Sequence, residues 1–330
     1  MLKSTKHTKD VYITIINLQL MSLKISLNNL ILFILIMFAP ISQIIAKEIN
    51  SEKNIIKNHI LVLDNSISNN IPKRYRDATK LNPRLYASAS AQPNLKDFQY
   101  IIQHAKQQLK TNSNSKIFIV DLRQEPHAML DGQAISWYGL KNQLPNYYEK
   151  YLINKLKKSK IIKIYKGIHK LPEGKFIPKG HLLLPNKNLI TEKELITNLG
   201  VNYLRILVND HFAPNDQEIN IFVNFIKSLP KNSWIHFHCR GGRGRSTSFM
   251  VMLDIIRHAP KLTLNEILER QQQLDGVNLS KTDFTIIRKK WKENPAKERY
   301  DFIKNFYEYI VDPNGYKKSS WSDWNFKKSL

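Results

Sequence analysis

The sequence predicts an α/β protein: a mostly parallel central sheet flanked by helices, with a small β-rich subdomain inserted near residues 150–190. Three observations predict it. From Leu95 onward, apolar runs of strand length alternate with longer segments of helical spacing. One of those strands, Trp234 to His238, runs through a glycine-rich loop straight into an apolar helix. Between residues 160 and 184 the chain instead breaks into short apolar runs at Pro and Gly, the pattern of a few antiparallel strands.

The elements follow in order. LKDFQYIIQHAKQQL, after Pro93, has helical spacing, and KIFIVDL (Lys116 to Leu122) reads as a buried strand. The stretch from Ser136 to Ser159 reads as a loop and then a helix ending in lysines. From Thr191 the order is helix (closed by Gly200), strand (NYLRILV), irregular loop (NDHFAPND), helix (QEINIFVNFIKSL), strand (WIHFH), loop and helix (RSTSFMVMLDIIRH). Residues 264–310 read as helices packed on that core.

At 330 residues the chain can bury a full core, and its organisation reads as three parts. Residues 1–46 contain LILFILIMFA (Leu30 to Ala39), preceded by Lys24 and followed by Pro40 and a cleavage site after Ala46. Ten residues are too few to cross a bilayer but match the apolar centre of a secretory signal peptide, with Met1 or Met21 as its start. An uncleaved anchor is the alternative, since Ile41, Ile44 and Ile45 lengthen the run. Residues 47–95 read as a polar, ordered N-terminal arm in which Ile60 to Leu63 can pack. Residues 96–330 read as the main domain, carrying the inserted subdomain.

The formal charge of +24 calls for a partner with negative charge, whether nucleic acid, a membrane surface or a polyanionic small molecule. Lysine is abundant along the whole chain, so base-composition bias explains the overall charge about as well. No nucleic-acid motif is present. The single cysteine, Cys239, excludes an intramolecular disulfide and any cysteine-based metal site.

That cysteine stands in His238-Cys239-Arg240-Gly241-Gly242-Arg243-Gly244-Arg245-Ser246-Thr247. The strand delivers it to the carboxyl edge of the sheet, where open α/β folds bind ligands. Gly241, Gly242 and Gly244 let the backbone curl so that successive N–H groups point at one centre, a nest for a tetrahedral oxyanion. The helix that follows adds the positive end of its dipole, a field favouring a dianionic phosphate and a thiolate together. Arg245, six residues after the cysteine, can offer a bidentate fork to two phosphoryl oxygens. The Ser246 hydroxyl can stabilise the sulfur as a leaving group.

The motif resembles the signature of the protein tyrosine phosphatase superfamily: His-Cys, any five residues, Arg, then Ser or Thr. The resemblance implies a phosphocysteine intermediate, no metal and no cofactor, and an aspartic general acid on an upstream loop. Asp210, in VNDHFAPND and 29 residues before Cys239, matches that place; Asp216 fits a helix cap. DLRQEPHAMLDGQAISWYG (Asp121 to Gly139) and YLRILVNDHFAP (Tyr203 to Pro214) look like segments of the bacterial cysteine phytases, which dephosphorylate myo-inositol hexakisphosphate. The resemblance runs from about Ala87 to about Ile310 and makes Arg123, Glu125 and His127 candidates for shaping or binding at the site. Arg205 and His211 are candidates in the same sense, with His211 orienting the acid loop.

Arg240 and Arg243 depart from the acidic or neutral residues that phytases commonly hold there, and resemble the lysines of phosphoinositide phosphatase loops. Three of the chain's 12 arginines fall within six residues. The expectation is therefore a monomeric phosphatase for a polyanionic small molecule, an inositol polyphosphate, with no nucleic-acid partner. The alternatives are a phosphoinositide lipid phosphatase and a protein tyrosine or dual-specificity phosphatase. Membrane association would come only through the N-terminal segment or a lipid substrate. Export is expected, to the periplasm or medium or onward into a host cell.

Overall fold

The computed structural model describes residues 59–64, 70–109, 116–230 and 232–330. The signal or anchor expected in residues 1–46, and the first part of the arm, lie outside them. Among the described residues no helix is long and apolar enough to cross a membrane.

Five strands form the sheet that carries the site: β2 (Arg76–Asp77), β3 (Ala87–Ala91), β4 (Ile117–Asp121), β10 (Asn202–Arg205) and β11 (Trp234–Cys239). Their order is β10-β4-β11-β3-β2, parallel throughout except for the short edge strand β2. β11 is central and buried along its whole length, as a strand covered on both faces must be. One face packs on α4 (Asp216–Ser228), α5 (Gly244–His258) and α7 (Glu293–Val311) through Phe222, Phe237, Phe249 and Phe306. The other packs on α1 (Leu95–Leu109) and α3 (Glu192–Asn198) through Phe98, Ile101, Ile119, Leu195 and Ile196. Capping boxes begin α3 at Thr191, α4 at Asn215 and α6 (Leu264–Gln273) at Thr263, giving these helices defined starts.

A second sheet, ordered β8-β7-β1-β6-β5-β9, joins β1 (Ile60–Leu63), β5 (His127–Leu130), β6 (Gln133–Tyr138), β7 (Ile161–Lys170), β8 (Phe176–Pro185) and β9 (Leu189–Ile190). Its β7–β8 hairpin, preceded by α2 (Glu149–Lys157), is the antiparallel piece read from the sequence. Three readings change here. The boundary at 95/96 cuts through the central sheet, because β3 pairs with β11 over Ala87 to Ala91. ASASA has too little apolar bulk to announce a strand; the loop after β11 presses on its end, where a Cβ at Gly242 would stand 2.3 Å from the Ala91 nitrogen. The β-rich part is not confined to 150–190, since β1, β5 and β6 belong to the same sheet. Ser136 to Tyr138, read as loop, are the end of β6, buried by pairing with β1 from more than 70 residues upstream.

Candidate active site

Cys239 ends β11, 3% exposed, with Ala91 of β3 beside it. The loop after it curls because its carbonyls are held on the outside. The Arg240 carbonyl accepts from the Gln92 amide at 3.3 Å, that of Gly241 from Arg74 Nη1 at 2.8 Å and that of Gly242 from Arg76 Nη1 at 2.9 Å. In a planar trans peptide the N–H points opposite to the C=O, so the amides of residues 241–243 face inward. Gly242, at φ +63°, takes the left-handed conformation that completes the curl. Burial pushes Arg76 down to about 10, with Cys239 acting in the opposite direction. Arg74 and Arg76 escaped the sequence reading, which placed them in the arm.

Arg245 is 2% exposed and held on one edge of its guanidinium. Nη1 and Nη2 donate to the two oxygens of Glu125 at 2.7 and 2.9 Å, and Nη1 also meets the Leu122 and Val208 carbonyls. On the other edge, Nε has no hydrogen-bond partner and Nη2 lies 3.0 Å from Asp210 Oδ1. Ser246 Oγ donates to Cys239 Sγ at 3.2 Å.

Asp210 is brought to the loop as expected, by the turn after β10, and its carboxyl is about one-fifth exposed. Burial would raise its pKa, but Arg245, then His211 and a hydrogen bond from Asn142 Nδ2 (3.0 Å), hold it well below the carboxylate range. His211, at φ +79°, sets its ring 3.5 Å from Asp210 and edge-on to Trp291 at 4.9 Å, while Arg299 donates to its carbonyl. Burial, opposed by Asp210 and reinforced by Lys292 and Lys170, lowers His211 to about 4, so it is neutral at pH 7.

Arg123, Glu125 and His127 lie behind the loop, not on it. All three are buried, so shaping replaces the direct contact that remained open for them. Arg123 links Glu125 (2.9 Å) to Asp64 (2.8 Å), and Asp64 in turn receives Arg240 Nε at 2.7 Å. A continuous chain of alternating charge thus runs Asp210, Arg245, Glu125, Arg123, Asp64, Arg240. His127 sits deeper, 3.2 Å from Asp121 and 3.4 Å from Glu192; burial and Arg123 lower its pKa, but Asp121 raises it to about 9. Asp121, His127 and Glu192 have ligand atoms close enough for a metal. Arg205, 3.0 Å from Asp121, already answers one of those charges, and His238 lies 2.8 Å from Glu192. Arg205 also clamps Glu149 and has no contact with the loop.

The remaining cations ring the mouth. Arg243 is exposed, whereas Arg240 is stacked on the Tyr138 ring at 4.5 Å as well as paired to Asp64. Two lysines that the sequence did not single out join them. Partial desolvation lowers Lys170, at the end of β7, while Asp210 pulls it back up, which puts it in the field of the site. Burial and then Lys170 push Lys292 down to about 8, with Lys289 and Arg243 adding and Asp210 opposing.

A buried parallel strand, a carbonyl-out glycine loop at a helix start, and a cysteine answered by Arg and an upstream Asp define the phosphatase loop of the protein tyrosine phosphatase superfamily. Comparison with known proteins narrows this. The family model for the PTP-like phytases, described as inositol hexakisphosphate, matches residues 179–257. The chain is similar to the PTP-like myo-inositol phosphatase of Mitsuokella multacida in complex with myo-inositol-(1,3,4,5)-tetrakisphosphate: 28% identity, TM-score 0.72, 82% of this chain and 48% of that one. It is similar to a PTP-like phytase from Bdellovibrio bacteriovorus at 27% identity and TM-score 0.63, covering 81% and 95%. It is also 27% identical to the effector protein hopD2 of Pseudomonas syringae pv. tomato, over 64% of this chain and 46% of that protein. The chain thus spans about half the length of hopD2 and of the Mitsuokella protein. These matches support the PTP-like phytase branch of that superfamily for this chain.

Proposed function

We propose that the protein hydrolyses phosphomonoesters of myo-inositol polyphosphates through a phosphocysteine intermediate. The observation that carries this is Arg245: Glu125 locks one edge of its guanidinium, and the other edge, Nε with Nη2, is left to a ligand beside inward amides and Cys239. A phosphate dianion placed there would take Nη2 from Asp210. Losing that partner and gaining an anionic neighbour both raise the Asp210 carboxyl, so substrate itself makes the acid able to carry a proton.

In the first half-reaction the Cys239 thiolate forms the S–P bond as the P–O ester bond breaks, and Asp210 gives its proton to the departing inositol oxygen. In the second, Asp210 takes a proton from water, the new P–O bond forms, and the S–P bond breaks with its electron pair returning to sulfur. The Ser246 hydroxyl, 3.2 Å away, supports that thiolate. Glu125 holds Arg245 on the phosphoryl oxygens throughout.

Substrate class follows from the mouth. Arg243, Lys170 and Lys292 at the mouth are more positive charge than one phosphate can answer, and Lys292 is depressed first by burial and then by Lys170. A phosphotyrosine gains nothing from that ring. A phosphoinositide headgroup shares the chemistry and is a parallel arm of the assay. The apolar stretch near the N-terminus and the similarity to an effector protein support export and delivery to a host cell, and the protein is expected to act as a monomer.

The test is Cys239→Ser. It should abolish turnover of inositol hexakisphosphate while phosphate binding persists, because a hydroxyl has no comparable anion at neutral pH. Retention of more than a trace of activity would mean that another nucleophile operates.

A further inference from the structure

Residues 150–190, which include the β7–β8 hairpin, hold 11 lysines and a single acid, Glu173. At the chain's own composition the same length would hold about five lysines and three acids, so composition bias does not produce this excess.

Strand register sorts the hairpin into two faces. On the inner face Ile162 and Ile164 are buried opposite Leu184 and Leu182, and Phe176 packs edge-on to Tyr138 at 5.0 Å. On the outer face Ile161 and Leu183 are each 64% exposed and Ile177 is 54% exposed. Between them the Lys163 ammonium lies over the Tyr165 ring at 5.3 Å, and Tyr165 meets His181 edge-on at 6.1 Å. Lys179, opposite Gly167, shares this face, and the face carries no carboxylate.

Aliphatic tips beside an aromatic ring, framed by lysines alone, suit the headgroup layer of a negatively charged bilayer. A soluble face of this kind would more usually mix both signs of charge. We propose that the outer face of the β7–β8 hairpin docks on an anionic lipid surface, with Ile161, Leu183 and Ile177 entering the interface and Lys163 and Lys179 meeting the headgroups. Charge complementarity selects this occupant. A strand added along the open edge of β8 is the poorer fit, because Pro178 and Pro185 remove N–H donors from that strand. The inference stands apart from the catalytic reading, since it uses no residue of the loop. Its consequence is positional: Lys170, at the end of the same β7, lies in the field of Asp210, so docking brings the mouth of the site near the lipid surface.

The experiment is sedimentation of the full chain with phosphatidylcholine vesicles, with and without a quarter of phosphatidylserine, at physiological salt. Wild type should partition onto the mixed vesicles well above the neutral ones. Lys163→Glu/Lys179→Glu should weaken that partitioning on the order of thirtyfold or more, since each cation near such a surface counts by about a factor of five. Ile161→Ser/Leu183→Ser should weaken it about tenfold through lost apolar insertion. Both variants should keep the wild-type melting curve and turnover of a soluble monophosphate ester. If a double variant melts early, the single changes Lys179→Gln and Leu183→Gln carry the same expectation with smaller losses. Equal binding of wild type to both vesicles, or variants that partition like wild type, would overturn the proposal and place any membrane contact elsewhere in the chain. A change in oligomeric mass with vesicle binding unaltered would overturn it in favour of contact between copies.

Discussion

The two sheets are built for opposite purposes, and the active site lies where they meet. The five-stranded sheet is covered on both faces, and its β11 and β3 are buried at every position. It presents Cys239 and holds the loop by backbone carbonyls and a glycine with no room for a Cβ. The six-stranded sheet is open at β8 and exposes apolar and lysine side chains along that hairpin. Its contributions to the site are single side chains at strand ends: Asp64 beyond β1, Tyr138 at the end of β6, Lys170 at the end of β7. Phosphoryl transfer needs atoms fixed to a fraction of an ångström, which the first sheet supplies, whereas recognising several phosphates needs charge with reach, which comes from the second sheet and the segment before α7.

The largest effect expected within the first sheet's territory is that of Asp210→Asn. Loss of the general acid should cost about a hundredfold to ten-thousandfold on an inositol phosphate, whose alkoxide must be protonated as it leaves. The loss on p-nitrophenyl phosphate should be much smaller, since a nitrophenolate leaves unaided. Equal losses in steady-state rates would make Asp210 structural and dissolve the division of labour.

A pair of glycine variants sharpens the comparison. Gly242→Ala places a Cβ 2.3 Å from the Ala91 nitrogen, at φ +63°, and should destabilise the fold by roughly 1–3 kcal/mol and lower activity on every substrate alike. Gly241→Ala meets nothing within 4 Å and should leave the melting temperature near that of wild type. Similar thermal shifts for the two would show that loop curvature does not rest on contact with β3.

The smallest effect is a pH dependence. Lys292 is depressed to about 8, and a polyphosphate stabilises its charged form. Its contribution to binding is therefore complete below pH 8 and fades as pH rises through 8, up to the higher value it takes in the complex. Calorimetric titration of the Cys239→Ser variant should show affinity for inositol hexakisphosphate falling several-fold between about pH 7 and pH 9, and Lys292→Met should flatten that fall. A slope that survives Lys292→Met would assign it to another group.

What could be read from the sequence divides along the same line. The strand, loop and helix around Cys239 are contiguous, so spacing placed Arg245, Ser246 and the glycines, whereas Asp210 was reached only through the resemblance, which implies an acid on an upstream loop. Arg74, Arg76, Asp64 and Asn142 act from segments with no local signal, brought in by pairings such as β1 with β6 that span more than 70 residues. Arg123 and Glu125 were found but their role was not, because a buried ion pair and a substrate contact look alike until burial is known. Lys170 and Lys292 were hidden by abundance: in a chain with this many lysines, only position separates a binding residue from a solvated one. Position also changes the reading of Arg240, which is occupied by Asp64 and Tyr138, and leaves Arg243 and Lys292 as the cations on which recognition can be tested without disturbing a buried carboxylate.

The central claim, a cysteine phosphatase selective for polyphosphorylated inositol, is tested most directly by kcat/KM of Arg243→Ala/Lys292→Ala on inositol hexakisphosphate and on a monophosphate ester. Each contact to a charged phosphate is worth roughly 1.5–3 kcal/mol, so the pair should lower the first by about a hundredfold or more, while the second, held by Arg245 and the loop amides, changes little. A fall by the same factor on both substrates would contradict the account.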